Sequence, residues 1–272
     1  MCTHTAVLSF FFSFFLFLQR PFYWSFQELK AYVQQHGVDG KVNGHNDKDL
    51  WHAIQTLIVK TILSAEYKLA NHAKKNVQHE GNCFELLGVD VLVDHHLKPW
   101  LVEVNPDPDM SAHAGFALAY ETKGKMLNDL TSLLSIDQND ASVAKLGTKE
   151  YEKERQGLAS LLLQAGKEPG GAQEHGPRHQ YLSVFEKNKC NLKAAVLACG
   201  VQTRKDALLI AGSEIEFNRK KKWQRLVPST TTSKKTDEDY LNWFYEKKKT
   251  DLLLNCWENQ VFECSQRDRA RK

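Results

Sequence analysis

The spacing of hydrophobic positions changes near residue 83. From Leu50 to Ile62 they recur at three- and four-residue steps (Leu50, Ile54, Leu57, Ile58, Ile62), which predicts a helix with one buried face. Residues 83–93 and 99–105 are instead crowded with valine, leucine and aromatics, and the polar insert Asp94-His95-His96-Leu97-Lys98 divides them, which predicts a β-hairpin. Upstream, Ser25-Phe26-Gln27-Glu28 is a capping-box start. Phe26, Leu29 and Val33 then share a face, so a short helix is expected to end at Gly37, before a polar loop over 39–49. Downstream, Leu118, Met126, Leu127, Leu130, Leu133 and Leu134 predict a further helix with a core-facing side.

A reversal of four residues between 94 and 99 would pair Leu92 with Leu101, Asp90 with Glu103 and Gly88 with Asn105, all on one face. Val89/Val104, Val91/Val102 and Val93/Trp100 fall on the other, an apolar face expected in a core. Carboxylates directly opposed repel and raise each other's pKa, and a divalent cation between them removes the conflict. Asp, Glu and Asn offer only oxygen donors, which suits Mg²⁺ held together with waters and phosphates. Gly88, with no side chain opposite Asn105, leaves room for a nucleotide. Spacing alone does not separate this reading from an ordinary solvated strand face.

The identities of the residues go further than their spacing. The run Phe84-Glu85-Leu86-Leu87-Gly88-Val89-Asp90, followed by Leu97-Lys98-Pro99-Trp100-Leu101-Val102-Glu103-Val104-Asn105, resembles the tubulin tyrosine ligase-like family of ATP-grasp enzymes. Leu50-Trp51 through Thr61 is similar to the family's helix before this motif, and Lys123-Gly124-Lys125-Met126 through Leu130 to the helix after it. The Lys-Pro-Trp form and that last helix are most like the polyglutamylase branch. The resemblance covers residues 24–136, roughly two fifths of the chain, and implies an α+β fold. That fold is the C-terminal half of an ATP-grasp domain, an antiparallel hairpin packed on helices. It also implies that Asp90, Glu103 and Asn105 are the catalytic magnesium ligands, with Mg²⁺ and ATP as cofactor and co-substrate, and that Lys123 binds nucleotide or an acidic substrate. The implied reaction adds free glutamate to glutamate side chains of tubulin tails through an acyl phosphate. It takes place in the cytoplasm on the cytoskeleton, cilium and basal body included.

The chain departs from the family pattern in two places. After Asn105 the family has small hydroxylic residues around a proline, whereas here Asp107 and Asp109 flank Pro108; they either face solvent or weaken the binding of anionic substrates. Residues 1–50 also hold no Gly-rich phosphate loop or lysine pair, so the match is to the C-terminal part of a catalytic core, and phosphoryl transfer depends on positioning that metal ligands alone do not give. The competing expectation is a truncated, catalytically inactive relative that binds microtubules through its tail.

Residues 6–18 form a nearly unbroken apolar run with three readings: a weak signal or anchor, a buried strand, or an artefact of where the reading frame was begun. The last is favoured, so residues 1–23 are set apart. A boundary is expected near residue 137, with 137–179 a linker on the strength of Gly166-Lys167-Glu168-Pro169-Gly170-Gly171, and 180–272 a mainly helical basic tail. Residues 219–272 carry fourteen Lys/Arg against eight Asp/Glu, while the whole chain is only +3, so the basic charge is local. Interleaved with Tyr240, Trp243, Phe244 and Trp257, it suits RNA, a membrane face or an acidic protein. The resemblance favours acidic tubulin tails, with neither nucleic acid nor stable membrane insertion expected. The six cysteines show no Cys-x-x-Cys spacing, and reduced cytosolic thiols are expected. His95 and His96 read as turn residues.

Overall fold

The computed structural model describes residues 7–9, 26–36, 46–76, 84–110, 117–134, 149–167, 180–219, 221–226 and 249–269. They divide into two compact units, 1–126 and 127–272. The division falls ten residues before the boundary expected near 137.

The first unit contains a three-stranded sheet with two helices. Helix α1 (Phe26–His36) buries Leu29 and Val33 as the periodicity requires. Helix α2 (Asp47–Asn76) is longer than the apolar pattern alone predicts. Its start is set by Asn46, whose Oδ1 accepts from the backbone N–H of Lys48 (2.9 Å) and Asp49 (3.0 Å), while Asp49 Oδ2 accepts from the N–H of Asn46 (3.0 Å). Reciprocal bonds of this kind satisfy the donors that every helix start leaves open. Leu50, Ile54 and Ile58 are fully buried along its inner face. The helix packs on α1 and on the sheet.

Strands β1 (Val7–Ser9), β2 (Leu86–Val93) and β3 (Pro99–Asn105) lie in the order β1-β2-β3. The β1 pairing is parallel, Val7 opposite Leu86 and Ser9 opposite Gly88, so the sheet is mixed rather than a hairpin alone. The remainder of the apolar N-terminal run, residues 6 and 10–18, lies outside the described residues.

The hairpin register follows expectation at one end only. Gly88 opposes Asn105, Val89 opposes Val104 and Asp90 opposes Glu103, but Val91 then opposes Leu101, Leu92 opposes Trp100 and Val93 opposes Pro99. The turn holds five residues, 94–98, closed by Asp94 N–H to the carbonyl of Lys98 at 3.1 Å. Val102 is the extra residue, a β-bulge that absorbs the offset. The apolar face is therefore core only near Val89 (3% exposed), and Val102 is 63% exposed. Trp100 is likewise exposed, its Nε1 donating to Asp94 Oδ2 at 2.9 Å and its ring lying under the Lys98 ammonium at 3.8 Å.

Helix α3 (Ala117–Leu133) follows the sheet and crosses the boundary between the units. Leu130, Leu133 and Leu134 are buried as expected, while Leu127 is largely exposed. Leu118 lies outside the described side chains.

The second unit is helical. Residues 149–167, expected within a linker, form helix α4 (Lys149–Lys167) and bury Tyr151, Leu158, Ala159 and Leu162. After a 3₁₀ turn (Gln180–Leu182) come α5 (Ser183–Lys187), α6 (Leu192–Ala198), α7 (Arg204–Arg219) and α8 (Lys249–Arg269). Helix α4 packs on α6 and α7, and α8 packs on α5, α6 and α7. One apolar cluster joins them, with Leu158, Leu162, Val196, Ile210, Ile215 and Trp257 fully buried. Side-chain caps start two helices. Asn191 Oδ1 accepts from the N–H of Ala194 at 3.0 Å, and Thr203 and Asp206 exchange bonds at 3.1 Å. None of the described helices is long and apolar enough to cross a membrane.

The expectation of reduced thiols fails for four cysteines. Cys190 is bonded to Cys264 and Cys199 to Cys256. Helix packing brings together residues 74 and 57 positions apart, which short-range spacing does not register. Cys2 and Cys83 lie outside the described residues.

Candidate metal centre on the hairpin

Asp90 is the fifth residue of β2 and Glu103 the fifth of β3, and the register sets them opposite each other. Opposed residues of an antiparallel pair project to one side, so the carboxyl groups meet. Asn105 is two residues beyond Glu103 and returns to that side, its Nδ2 donating to Glu103 Oε1 at 3.1 Å. Asp90 is held above its ordinary pKa, first by partial burial and then by a hydrogen bond with Glu103 and that group's charge. A divalent cation between the two groups removes this repulsion.

The donor chemistry fits a hard cation. Among the described residues no group of three or more His, Cys, Asp or Glu is placed to hold a metal, so the hairpin offers two carboxylates and an amide rather than a closed cage. Mg²⁺ accepts such an open set because phosphate oxygens and waters complete its octahedron. Asp90, Glu103 and Asn105 are thus brought together as a candidate site.

The surroundings differ from expectation in two respects. Gly88 does not leave room for a nucleotide: a Cβ built there would lie 3.1 Å from Pro108 Cβ and 3.7 Å from Asn105 Cβ, so the segment after β3 folds over the glycine. That fold-over also brings Asp109 to α3, where its Oδ2 meets Lys123 Nζ at 3.7 Å. The Lys123 side chain is only 14% exposed, so it is no ordinary solvated helix lysine, whereas Asp109 (58%) and Asp107 face outward. Of the two readings of these aspartates, the solvent-facing one describes both, and Asp109 is in addition paired with the Lys123 cation.

Sequence reasoning passed over Asp94, which organises the turn. Its Oδ1 accepts from the N–H groups of His96 (2.9 Å) and Lys98 (3.0 Å) and its Oδ2 from Trp100, and these bonds, the Trp100 one foremost, hold its pKa down at about 2. An Asp opening a polar insert between two strand runs was the available signal. His95 and His96 lie together in the turn, ring centroids 3.8 Å apart.

The first unit, a mixed α+β one, thus carries two opposed carboxylates and an amide together on a hairpin, a donor set of the kind that hard cations take. Residues 22–141 match the model of the Tubulin-tyrosine ligase family. Over 245 residues, 87% of the chain and 18% of the relative, it is 27% identical to the human protein named Tubulin monoglutamylase TTLL4. It is 38% identical over 111 residues (41% of the chain, 8% of the relative) to mouse Tubulin polyglutamylase TTLL5. To Tubulin polyglutamylase ttll-4 of Caenorhabditis briggsae it is 25% identical over 237 residues, 86% of the chain and 35% of the relative. The chain thus spans about a fifth to a third of the length of the relatives it matches over most of its own length. Those alignments run well beyond residues 24–136 and take in much of the helical unit. No solved structure matches.

Proposed function

We propose that this chain supplies the magnesium-holding hairpin of an ATP-dependent ligase that joins free glutamate to glutamate side chains of tubulin tails. The observation that carries the reading is the facing of Asp90 and Glu103, with Asn105 bonded to Glu103, inside a segment that matches the Tubulin-tyrosine ligase family. The names of the relatives, mono- and polyglutamylases of tubulin, support the choice of amino acid and acceptor. Magnesium bound with ATP supplies charge neutralisation at the transferred phosphoryl group. Asp90, Glu103 and Asn105 are the residues that would hold it. The acceptor carboxylate takes the γ-phosphoryl group, the amine of glutamate attacks the resulting acyl phosphate, and an isopeptide bond forms as phosphate leaves. Lys123, ion-paired with Asp109 at 3.7 Å, is the cation assigned in this reading to an acidic substrate. Such an enzyme works on microtubules of the cytoplasm, cilium and basal body.

The test uses Glu103→Gln in the longest form of the protein that incorporates glutamate into tubulin. Incorporation should disappear with far-UV circular dichroism unchanged. In the 272-residue chain the same substitution should abolish Mn²⁺ binding read by electron paramagnetic resonance. Undiminished incorporation and Mn²⁺ binding would overturn the reading.

A catalytically silent relative that docks on acidic tubulin tails is the second reading, favoured by the exposure of Lys221 and Lys222. Against it, three cations of the basic stretch are engaged internally: Arg219 with Glu154, Arg225 with Glu258 and Lys249 with Asp206. It predicts salt-sensitive co-sedimentation with microtubules and no ATP binding.

A further inference from the structure

The two disulfides both end on α8. Cys190 follows α5, its N–H donating to the carbonyl of Phe185 at 2.9 Å, and Cys199 ends α6, its N–H donating to the carbonyl of Ala195 at 3.1 Å. Their partners on α8, Cys264 and Cys256, bring Cα atoms to 5.9 and 5.5 Å. Eight residues separate the two on α8, roughly 12 Å along the axis at a rise of about 1.5 Å per residue. One helix is therefore fastened at two heights to the ends of two short helices.

Near the first fastening α8 has a seat that needs no sulfur. Trp257 is fully buried, in ring contact with Phe185 at 5.5 Å, and its Nε1 donates to Glu214 at 2.7 Å. Leu253 is buried one turn earlier, and Glu258 pairs with Arg225. Beyond Glu258 this seat thins out. Among residues 259–266 only Cys264 is buried, and the rest are part-buried or exposed. The C-terminal half of α8 therefore depends on the Cys190–Cys264 bridge far more than the N-terminal half depends on Cys199–Cys256. The bridges also differ in access: Cys199 and Cys256 are both part-exposed, whereas the other bridge joins a part-exposed residue, Cys190, to Cys264, which is 3% exposed, so a small thiol reaches that bridge from one side only.

We propose that the four cysteines form a two-rung redox latch on α8, closed by thiol–disulfide exchange with a low-molecular-weight disulfide such as oxidised glutathione and opened by the corresponding thiol. Each rung closes in two displacements. One protein thiolate attacks a sulfur of the small disulfide, forms a mixed disulfide and expels one small thiolate. The second protein thiolate then displaces the other. Two cysteines are oxidised, one small disulfide is reduced to two thiols, and the protons lost by the protein sulfurs end on those thiols. Access sets the order: Cys199–Cys256 opens first and Cys190–Cys264 second. Opening the second frees the end of α8 while Trp257 holds its start, so both redox states are folded. Closing encloses residues 200–255 in a covalent loop.

The experiment equilibrates the full 272-residue chain in buffers of graded reduced and oxidised glutathione, traps free thiols with N-ethylmaleimide, and maps unreduced peptides by mass spectrometry. Linked peptides for Cys190–Cys264 and Cys199–Cys256 are expected, with Cys199–Cys256 lost under the milder conditions. The reduced chain should melt about 10 °C or more below the oxidised one. It should keep its helical circular dichroism at 25 °C. Cys256→Ser separates the rungs and should leave Cys190–Cys264 forming. Four alkylated cysteines in every buffer, or linked peptides in other pairings, would overturn the proposal. So would bridges that open only as the helical signal collapses, since these would be fixed staples.

Discussion

The two units hold charge in opposite ways. On the hairpin, Asp90 and Glu103 face each other near the surface with an amide beside them and no basic side chain bonded to either in the contacts described. In the helical unit Glu214 and Glu258 are 3% and 2% exposed, yet each is met by designed partners: Trp257 donates to Glu214, and Arg225 reaches Glu258 together with the hydroxyl and carbonyl of Ser213 (3.0 and 2.7 Å). Glu154 is similarly enclosed by Arg219 at 2.9 Å and Tyr181 at 2.6 Å. Buried charge persists only where it is bonded, so these pairs are part of how the helices fix their arrangement. Glu214 and Glu258 also repel each other, but there Trp257 and Arg225 answer them, whereas Asp90 and Glu103 meet near the surface with only an amide bonded beside them, the contrast on which the ligand proposal rests.

The comparison is broken most severely by Glu103→Gln, expected to lower glutamate incorporation by more than about 100-fold, in line with losing an electrostatic partner of the reacting group, at unchanged thermal stability. Trp257→Ala should do the reverse. It removes the largest fully buried side chain, costing about 3–5 kcal/mol in denaturant unfolding of the helical unit and leaving Mn²⁺ binding at the hairpin intact. A smaller effect is expected from pH. Burial, and then the charge of Glu258, pushes Glu214 from an ordinary 4.5 up to about 7. The folded chain therefore holds a proton that the unfolded chain releases, and stability present below pH 4.5 is lost as pH rises through 7. Thermal melts should show a fall of about 2–3 kcal/mol over that window, flattened in Glu214→Gln, whose amide oxygen still accepts from Trp257. The smallest effect belongs to Val102→Thr. At the exposed bulge it should shift stability by less than about 0.5 kcal/mol, and a larger loss would mean that the apolar face is buried there after all.

Strands β2 and β3 and helix α1 were legible because their periods are local, as was the end of the hairpin that carries Asp90, Glu103, Gly88 and Asn105, whereas β1 lies in the run for which a reading-frame artefact was favoured. The other end was not. One residue more in the turn depends on Asp94 accepting from two backbone donors and an indole, bonds that no hydrophobic pattern encodes. Helix α4 was hidden by its charge: Lys149-Glu150-Tyr151-Glu152-Lys153-Glu154-Arg155 reads as solvated, although Tyr151, Leu158 and Leu162 already stood seven and four residues apart on one face. Its carboxylate Glu154 found its cation 65 residues away, and the disulfides join positions just as distant. Distances of that order are set by how helices pack, and a single chain read in order does not display them. The folding of Pro108 over Gly88 is similar, since a glycine shows that something comes close without saying what.

The bulge at Val102 bears on a property unrelated to ligand chemistry. Among the described residues β3 has no strand on its outer side, so its backbone could in principle template another chain and grow a shared sheet. Pro99 offers no N–H at one end of that edge, and three residues on the extra residue at Val102 throws the hydrogen-bonding rhythm out of step. An incoming strand would find no long uninterrupted ladder to join. The irregularity that spoils the predicted register thus also keeps Leu101 and Val102, both exposed, from seeding aggregation between molecules.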